Sequence, residues 1–334
     1  MNLFGKQQHI NPMNSENITA GPLVSIGVPV YNGERYLYEC LDSILKQTYL
    51  NWECHVINNR STDKSKEIAD SFVDRDKRFR VITNEEFVDM TTNFNNTYKY
   101  LAEGAKYFKV VCADDWIMPE FLEKMVAVLE KYPSAGICSA YRLDNRHVDC
   151  DGLNYYNGPL FSGREVLLQQ LSNKIMITGS ETTVLYRVET LKRTVEYPVI
   201  FSYNSYHFDT SLAYELMSIS DLGYVFQVLS YTRRHEQTYT SKFSDRFYTN
   251  LNLRERELFL YKKIFPALEP EYKKVRAVYG SYLLGRKLRR DKEALAWHEK
   301  RLVKERQFTF PELLLSFFSV YKNKVLHKIK YLPE

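Results

Sequence analysis

Two adjacent carboxylates, Asp114 and Asp115, follow closely on the short apolar run of residues 108–111. The run predicts a buried strand, and Pro119 predicts the start of the next helix. Acids in a loop at the carboxyl end of a strand lie where open α/β sheets bind ligands. Carboxylates suit Mg²⁺ or Mn²⁺, which can in turn hold a diphosphate. The alternative is structural, with one Asp capping the helix and the other solvated.

The composition is that of an ordinary folded protein. The chain has 334 residues, 44% of them hydrophobic, and a formal net charge of +5. The five cysteines show no CxxC pair and no His partner at metal spacing, which predicts reduced thiols in a cytosolic setting. We expect no secretory signal, and no apolar run approaches the roughly 20 residues of a membrane span. The basic residues form no motif that reads nucleic acid, so a nucleic-acid partner is not expected.

Strands and helices alternate with short connections through the first part of the chain. Apolar runs predict strands at residues 23–30, 54–57, 80–82 and 108–111, each followed by a helix. This alternation predicts an α/β fold with a parallel sheet and right-handed crossovers. Residues 1–22 predict a flexible tail, and residues 141–160 predict an irregular excursion. The sequence contains neither of the glycine-rich phosphate-binding motifs, G-x-G-x-x-G and G-x-x-x-x-G-K-[ST]. Their absence favours a nucleotide that is held through a metal.

Five short segments together resemble the family 2 glycosyltransferases of the GT-A fold. They match the family's motifs in order and spacing, clearly over residues 23–140 and more loosely to about residue 241. The resemblance implies a mostly parallel, Rossmann-like sheet flanked by helices, here with a helical C-terminal extension. It also implies an inverting enzyme that uses a nucleotide-sugar donor. The segments are VPVYNGE at 28–34, LDSILKQT at 41–48, NNRSTD at 58–63, NFN at 93–95 and ADDW at 113–116.

The resemblance places the donor nucleotide against Pro29 and Tyr31, with the Tyr31 ring facing the base. The acidic pair of the family falls here on Asn58 and Asn59. An Asn59 amide can accept from and donate to uracil, so a UDP-sugar is favoured, but it could serve another base. The alternative for both Asn residues is a turn. The implied nucleotide-sugar site comprises Pro29, Tyr31, Asn32, Asn59, Asn93, Asp114, Arg233 and His235.

The family's D-x-D-D motif corresponds to residues 112–115, where Cys112 replaces the first acid. By this correspondence Asp115 ligates a divalent cation, Mn²⁺ or Mg²⁺, that bridges the diphosphate. Asp114 then holds the ribose or the adjacent sugar, and Trp116 faces the acceptor. Cys112 is expected to be a core residue, because a free cysteine at the end of a buried strand behaves as a small apolar side chain.

The catalytic base implied by the resemblance is Asp209. It matches the second residue of the family's E-D pair, whereas Phe208 replaces the first. The alternative is that Asp209 caps the helix that follows, since Asp is a favoured N-cap residue. His207 is a lesser candidate for the base.

Two further segments complete the implied site. Arg233 and His235 resemble the family's basic ending near the diphosphate, where they would neutralise the leaving nucleotide. The alternative is a solvated basic run. Thr178, Gly179 and Ser180 match a small-residue turn before a strand and are expected to face the acceptor, although a plain turn is equally compatible. Asn32 is also expected to cap the first helix, and Asn93 and Asn95 either serve the donor site or cap their own helix.

The C-terminal part predicts helices and is basic. Residues 286–334 contain 13 Lys and Arg against 6 Asp and Glu. The segment 311–331 predicts a basic amphipathic helix, which can lie on an anionic membrane surface and would suit a lipid-linked acceptor. Its alternative is packing against the catalytic domain with Lys at the rim. We expect a cytoplasmic protein. If the helix lies on the membrane surface, the protein would be peripheral at the inner face of the membrane.

The chain is therefore predicted to have a tail at 1–22, a nucleotide-sugar half at 23–140, an acceptor and catalytic-base half at 141–241, and a helical extension at 242–334. The predicted activity is transfer of a sugar to a hydroxyl of a glycan or glycolipid, in surface polysaccharide synthesis. One alternative is a non-catalytic subunit that binds nucleotide sugars. A sugar-phosphate nucleotidylyltransferase is less favoured, because the glycine-rich loop and basic residue it needs after the first strand are absent.

Overall fold

The computed structural model describes residues 21–194, 208–236, 246–299, 302 and 304–329. Almost all of the predicted N-terminal tail, and His207, lie outside these residues. One ten-stranded sheet forms the centre of the described fold. Its strands are β1 (Val24–Val30), β2 (Trp52–Asn58), β3 (Phe79–Thr83), β4 (Tyr107–Val110), β5 (Trp116–Ile117), β6 (Ala135–Asp144), β7 (His147–Asp149), β8 (Leu160–Phe161), β9 (Leu185–Arg187) and β10 (Asp221–Thr232).

Helices flank the sheet and form the C-terminal region. They are α1 (Leu37–Leu45), α2 (Ser65–Arg75), α3 (Met90–Lys99), α4 (Phe121–Lys131), α5 (Gly163–Leu171), α6 (Val188–Leu191), α7 (Phe208–Ile219), α8 (Arg246–Tyr261), α9 (Glu269–Leu288), α10 (Lys292–Glu299) and α11 (Phe310–Ile329). Short 3₁₀ turns lie among them, including one at Glu181–Thr183.

The first half of the sheet is parallel, as predicted, and its strands lie in the order β3-β2-β1-β4. Every residue of β1 is buried, because helices cover both faces of a parallel sheet. Helix α3 approaches β1 closely at Gly27, where a Cβ atom would lie 2.5 Å from the Cβ of Thr97. The carboxyl ends of β1, β2 and β4 meet at one edge of the sheet. The α/β class and the order of elements are confirmed.

The second half of the sheet is mixed rather than parallel throughout. Strand β9 runs antiparallel between β4 and β6, and β10 runs parallel to β6. The prediction of an irregular excursion at 141–160 was partly wrong, since β6 continues to Asp144 and β7 and β8 follow. The β6 sequence begins AGICSA, and these small side chains give a weak strand signal. The sheet thus spans both predicted halves, whose boundary stays a prediction.

Two predicted helix starts were wrong, and one open alternative, capping of α3 by Asn93 or Asn95, does not hold. Helix α1 begins at Leu37 after Tyr36, whereas Asn32 has a φ of +49° and does not cap it. Helix α3 is capped by Asp89, whose carboxylate accepts from the Thr92 N–H, so Asn93 and Asn95 lie inside the helix. Helix α4 begins two residues after Pro119. The spacing of apolar residues locates a helix along the sequence, but the first residue of the helix depends on the conformation of the preceding loop.

The C-terminal helices enclose a buried ion pair. The Glu255 side chain is fully buried, and its carboxylate accepts from the Arg306 Nε at 2.8 Å and from the Arg276 Nη1 at 3.1 Å. Beside this pair, Asn252 donates to the Tyr279 hydroxyl, which lies 2.8 Å from His298 Nδ1. The polar groups join α8, α9 and the segment before α11 around a small apolar cluster.

Replacing Glu255 with Ala is expected to lower the free energy of unfolding by about 3–5 kcal/mol, because two guanidinium groups would lose their buried counter-charge. Urea denaturation followed by circular dichroism measures this change. The matched control is Asp70→Ala, which breaks an exposed pair with Lys66 on α2 and should cost no more than about 1 kcal/mol. Equal costs for the two variants would contradict the structural role given to the buried pair.

Candidate active site

The site lies at the edge where the parallel strands end. The loops after β1 and β2 are joined by hydrogen bonds from one to the other. The Asn32 side-chain oxygen accepts from the Thr62 N–H at 2.8 Å, and the Asn32 N–H donates to the Ser61 hydroxyl at 3.0 Å. The positive φ of Asn32 lets it turn between the two loops. Asn32 therefore shapes the predicted nucleotide side of the site.

Asp115 is buried in the middle of the site. Its carboxylate accepts from the Thr182 hydroxyl at 2.7 Å and from the Arg233 N–H at 2.9 Å, and the Thr232 hydroxyl lies 3.4 Å away. Burial, and then the neighbouring Asp114 carboxylate, raise the pKa of Asp115 to about 7. Asp115 thus fixes three segments of the chain together at this point. These donors meet both oxygens of its carboxylate.

Asp114 is the more open of the two acids. Its carboxylate oxygen lies 3.1 Å from His235 Nε2, and its side chain is 35% exposed. A partly exposed carboxylate and an imidazole that converge in this way fit a divalent cation that takes its other ligands from phosphates and water. Among the described residues, no cluster of three His, Cys, Asp or Glu side chains suits a metal. Asp114 with His235 is thus a second candidate pair of cation ligands, and the metal role expected of Asp115 stays a prediction.

Arg233 lies beside these acids within an aromatic group. Its guanidinium carbon is 4.2 Å from the centre of the Tyr36 ring and 5.0 Å from that of Trp116. One Nη atom pairs with Glu39 at 2.5 Å. Trp116 stacks on Tyr231 with ring centres 3.7 Å apart. The predicted contact of Arg233 with a diphosphate stays a prediction, since this arrangement directs the guanidinium to Glu39.

The predicted base-stacking residue Tyr31 is half exposed at the rim of the site. Its ring lies 4.9 Å from that of Phe87, which is also exposed. Pro29 is buried within β1, directly before this rim. The two rings offer an aromatic surface of the kind on which a nucleobase stacks. Phe87 was not predicted, because it stands in a loop without a recognisable motif.

Asn59 is placed differently from the expectation that it reads a base. Its side chain is buried, its oxygen accepts from the N–H of Val88 at 3.0 Å and from the Asn84 amide at 2.9 Å, and its own amide donates to the Val88 carbonyl. Asn84 also donates to Asn93. These bonds hold the segment before α3, which includes Phe87. Base reading by Asn59 stays a prediction, and this geometry counts against it. The side-chain oxygen of Asn58 accepts from the Ser61 N–H, which confirms the alternative that Asn58 forms a turn.

A second acidic group contains Asp209 and Glu181. Burial, and then the charge of Asp209, raise the pKa of Glu181 to about 8. The Tyr186 hydroxyl donates to the Glu181 carboxylate at 3.0 Å, and the Tyr98 hydroxyl lies 3.5 Å from the same oxygen. Asp209 is the second residue of α7, and its carboxylate accepts from the adjacent Thr210 N–H. The role of Asp209 as base stays a prediction.

The turn at residues 178–183 connects the two acidic groups. The charge of Asp209 acts on Glu181, and the next residue, Thr182, donates to Asp115. Ser180 lies 3.3 Å from the Thr232 hydroxyl, and Thr178 is buried. Gly179 has a φ of +57°, and a Cβ atom there would lie 2.6 Å from the Thr183 hydroxyl, so glycine is required. The structure brings this turn to the site, whereas its contact with an acceptor stays a prediction.

Sequence reasoning missed the three residues that organise this centre. Thr182 and Thr232 hold Asp115, and Glu181 is the buried acid beside Asp209. The available signal was weak: one acid within the run of small and apolar residues at 175–186. A charged side chain in such a run is worth noting, because burial of an acid requires specific partners.

Comparison with known proteins identifies the family of this chain. A model of the family described as glycosyl transferase family 2 matches residues 25–194, which is about half of the chain. The glycosyltransferase GlyG of Streptococcus pneumoniae serotype 4 is 34% identical over 155 residues, covering 46% of this chain and 50% of GlyG. The chain thus spans about half the length of that relative.

Two solved structures share the fold. Staphylococcus aureus TarS 1-349, in complex with UDP-GlcNAc, is 19% identical with a TM-score of 0.54, covering 78% of this chain and 71% of TarS 1-349. The mannosyltransferase PcManGT from Pyrobaculum calidifontis, in complex with GDP-Man and Mn²⁺, is 16% identical with a TM-score of 0.55, covering 91% and 80%. The sheet and helices are those of the GT-A fold. The chain belongs to glycosyltransferase family 2.

Proposed function

We propose that this protein transfers a sugar from a nucleotide diphosphate donor, with a UDP-sugar favoured, to a hydroxyl of a glycan or glycolipid. The observation that carries the proposal is the convergence of Asp114 and His235 beside buried Asp115, at the carboxyl edge of the parallel strands. Ligands of open α/β sheets bind at this edge. The complexes of the two GT-A structures with nucleotide sugars support the same donor class.

Asp114 and His235 would hold a divalent cation, Mn²⁺ or Mg²⁺, and the Mn²⁺ in the PcManGT complex supports this cofactor. When bound, the cation supplies charge stabilisation for a departing diphosphate. Asp115 keeps the two ligands in place through Thr182 and the Arg233 N–H. Tyr31, with Phe87, would stack on the base.

Asp209 would act as the general base. It would take the proton from the acceptor hydroxyl while that oxygen attacks the anomeric carbon opposite the diphosphate, which inverts the configuration. Glu181, with its pKa raised to about 8 by burial and then by the charge of Asp209, would remain protonated near neutral pH and leave Asp209 as the charged acid of the pair. The turn at Thr178, Gly179 and Ser180, with Trp116, would border the acceptor.

The acceptor would be a glycan or lipid-linked saccharide in surface polysaccharide synthesis, used at the cytoplasmic face of the membrane. This part of the proposal rests on the family resemblance. In the part of the chain that the structure describes, no helix is both long and apolar enough to cross a bilayer.

Incubation with a panel of UDP-sugars and Mn²⁺ tests the proposal without knowledge of the acceptor. We expect slow release of UDP from one or a few of these sugars, because water can replace the acceptor hydroxyl at Asp209. Removal of Mn²⁺ with a chelator should reduce the release by roughly a hundredfold or more. Binding of the donor with no UDP release, in the presence of glycan acceptors as well, would instead support a non-catalytic binding subunit.

A further inference from the structure

Helix α11 exposes a stripe of large apolar side chains. Phe310, Leu314, Phe317, Phe318 and Tyr321 recur at spacings that place them on one side of the helix, and we call them the aromatic stripe. Phe318 is 62% exposed and Tyr321 is 60% exposed. Contiguous exposed apolar surface of this kind marks an interaction site.

A different side of α11 holds the helix to the protein. Leu313 and Ser316 are buried, and α11 packs along α9. At the contact, a Cβ atom on Gly280 would lie 2.4 Å from the Ser316 hydroxyl, so the two backbones are close. The helix thus packs on its neighbour and still presents the aromatic stripe outward.

Basic side chains border the start of the aromatic stripe. The Lys287 ammonium lies 5.5 Å from the centre of the Phe310 ring, and Lys287, Arg289 and Arg290 at the end of α9 are exposed. Leu288 among them is 72% exposed. The segment from residue 286 to the end of the sequence has 13 basic against 6 acidic residues. Aromatic side chains flanked by Lys and Arg match the boundary between lipid head groups and acyl chains, where anionic lipids add attraction.

We propose that the aromatic stripe and the basic end of α9 dock the protein on an anionic membrane surface, with α11 lying in the plane of the interface. The apolar side chains would enter the acyl boundary, and the basic residues would contact phosphate groups. A second copy of the chain is a poorer occupant, because a two-fold contact through this surface would bring two basic clusters together. The surface and its test do not depend on the proposed sugar transfer.

Co-sedimentation of the full chain with vesicles tests this inference. We expect binding to vesicles of phosphatidylcholine and phosphatidylglycerol in equal parts, weak binding to phosphatidylcholine alone, and loss of the difference at high salt. The double substitution Phe317→Ser and Phe318→Ser should weaken binding to the anionic vesicles by roughly tenfold or more. The matched control, Leu50→Ser, removes a side chain that is 73% exposed in the loop between α1 and β2, and should leave binding unchanged.

A second pair of substitutions separates charge from apolar contact. Lys287→Glu with Arg289→Glu should remove most of the preference for phosphatidylglycerol while melting temperature and circular dichroism stay those of the parent. Equal binding of parent and Phe317→Ser, Phe318→Ser protein to anionic vesicles would overturn the proposal. The absence of vesicle binding would also overturn it. Concentration-dependent self-association that the Phe substitutions abolish would overturn it as well, and would assign the aromatic stripe to contact with a second copy of the chain.

Discussion

Asp209→Asn is expected to abolish sugar transfer while donor binding persists. The amide keeps the size of the carboxylate but cannot take a proton from the acceptor hydroxyl, so the reduction in kcat should be roughly a thousandfold or more. Donor binding should change little, because Asp209 lies in the group around Glu181, whereas the proposed ligands of the cation are Asp114 and His235. UDP release and UDP affinity, measured on the same preparation, check the two parts of this expectation.

The matched control is Asp70→Asn, which neutralises a surface acid on α2 that pairs with Lys66 and should leave both quantities at parent values. Asp209 also raises the pKa of buried Glu181, so the variant is expected to be at least as stable as the parent at neutral pH. UDP release at the parent rate in Asp209→Asn would remove Asp209 from the role of base.

Asp114→Asn is expected to remove the effect of metal on nucleotide binding. The carboxylate is the more exposed acid of the pair and lies 3.1 Å from His235 Nε2, so its loss removes the charged ligand of the proposed cation. Parent protein should gain thermal stability from UDP with Mn²⁺ beyond that from UDP alone, since a ligand that binds only the folded state raises the melting temperature. The variant should lose this extra gain and roughly a hundredfold or more of UDP release.

His235→Ala should show the same loss in weaker form, because the charged ligand remains. The control is Asp70→Asn, since Asp70 is an exposed acid of α2 whose partner Lys66 is also exposed. If Asp115→Asn removed the metal effect and Asp114→Asn kept it, the assignment of the cation to Asp114 would be wrong, and Asp115, expected from sequence, would be the ligand.

The parallel half of the fold was predictable because its central strands are buried on both faces and largely apolar. Residues 24–30 and 107–110 are buried without exception, and such runs are visible in sequence. Strand β6 was missed because small residues begin it, whereas β9 lies where a strand was expected after the small-residue turn. The predicted cap at Asn32 failed for a different reason, since its side chain serves a contact with Thr62 from another loop.

The candidate site was only partly predictable. Motif spacing found Asp114 and His235, but their approach across 121 positions of sequence is decided by the pairing of β10 with β5 and β6. No spacing rule contains the contact of Asp115 with Thr182, so the sequence does not show that Asp115 is the more buried of the two acids. Asn59 likewise takes its partners from the segment before α3, which the sequence does not place.

The most direct measurement is the melting temperature of the parent protein with UDP, GDP, CDP and dTDP, each with and without Mn²⁺. We predict the largest rise with UDP and a clear dependence of that rise on Mn²⁺. A rise with a different nucleotide that needs the metal would keep the site and change the donor. No rise with any of the four nucleotides, in the presence of Mn²⁺, would contradict a nucleotide-sugar site at Asp114 and His235.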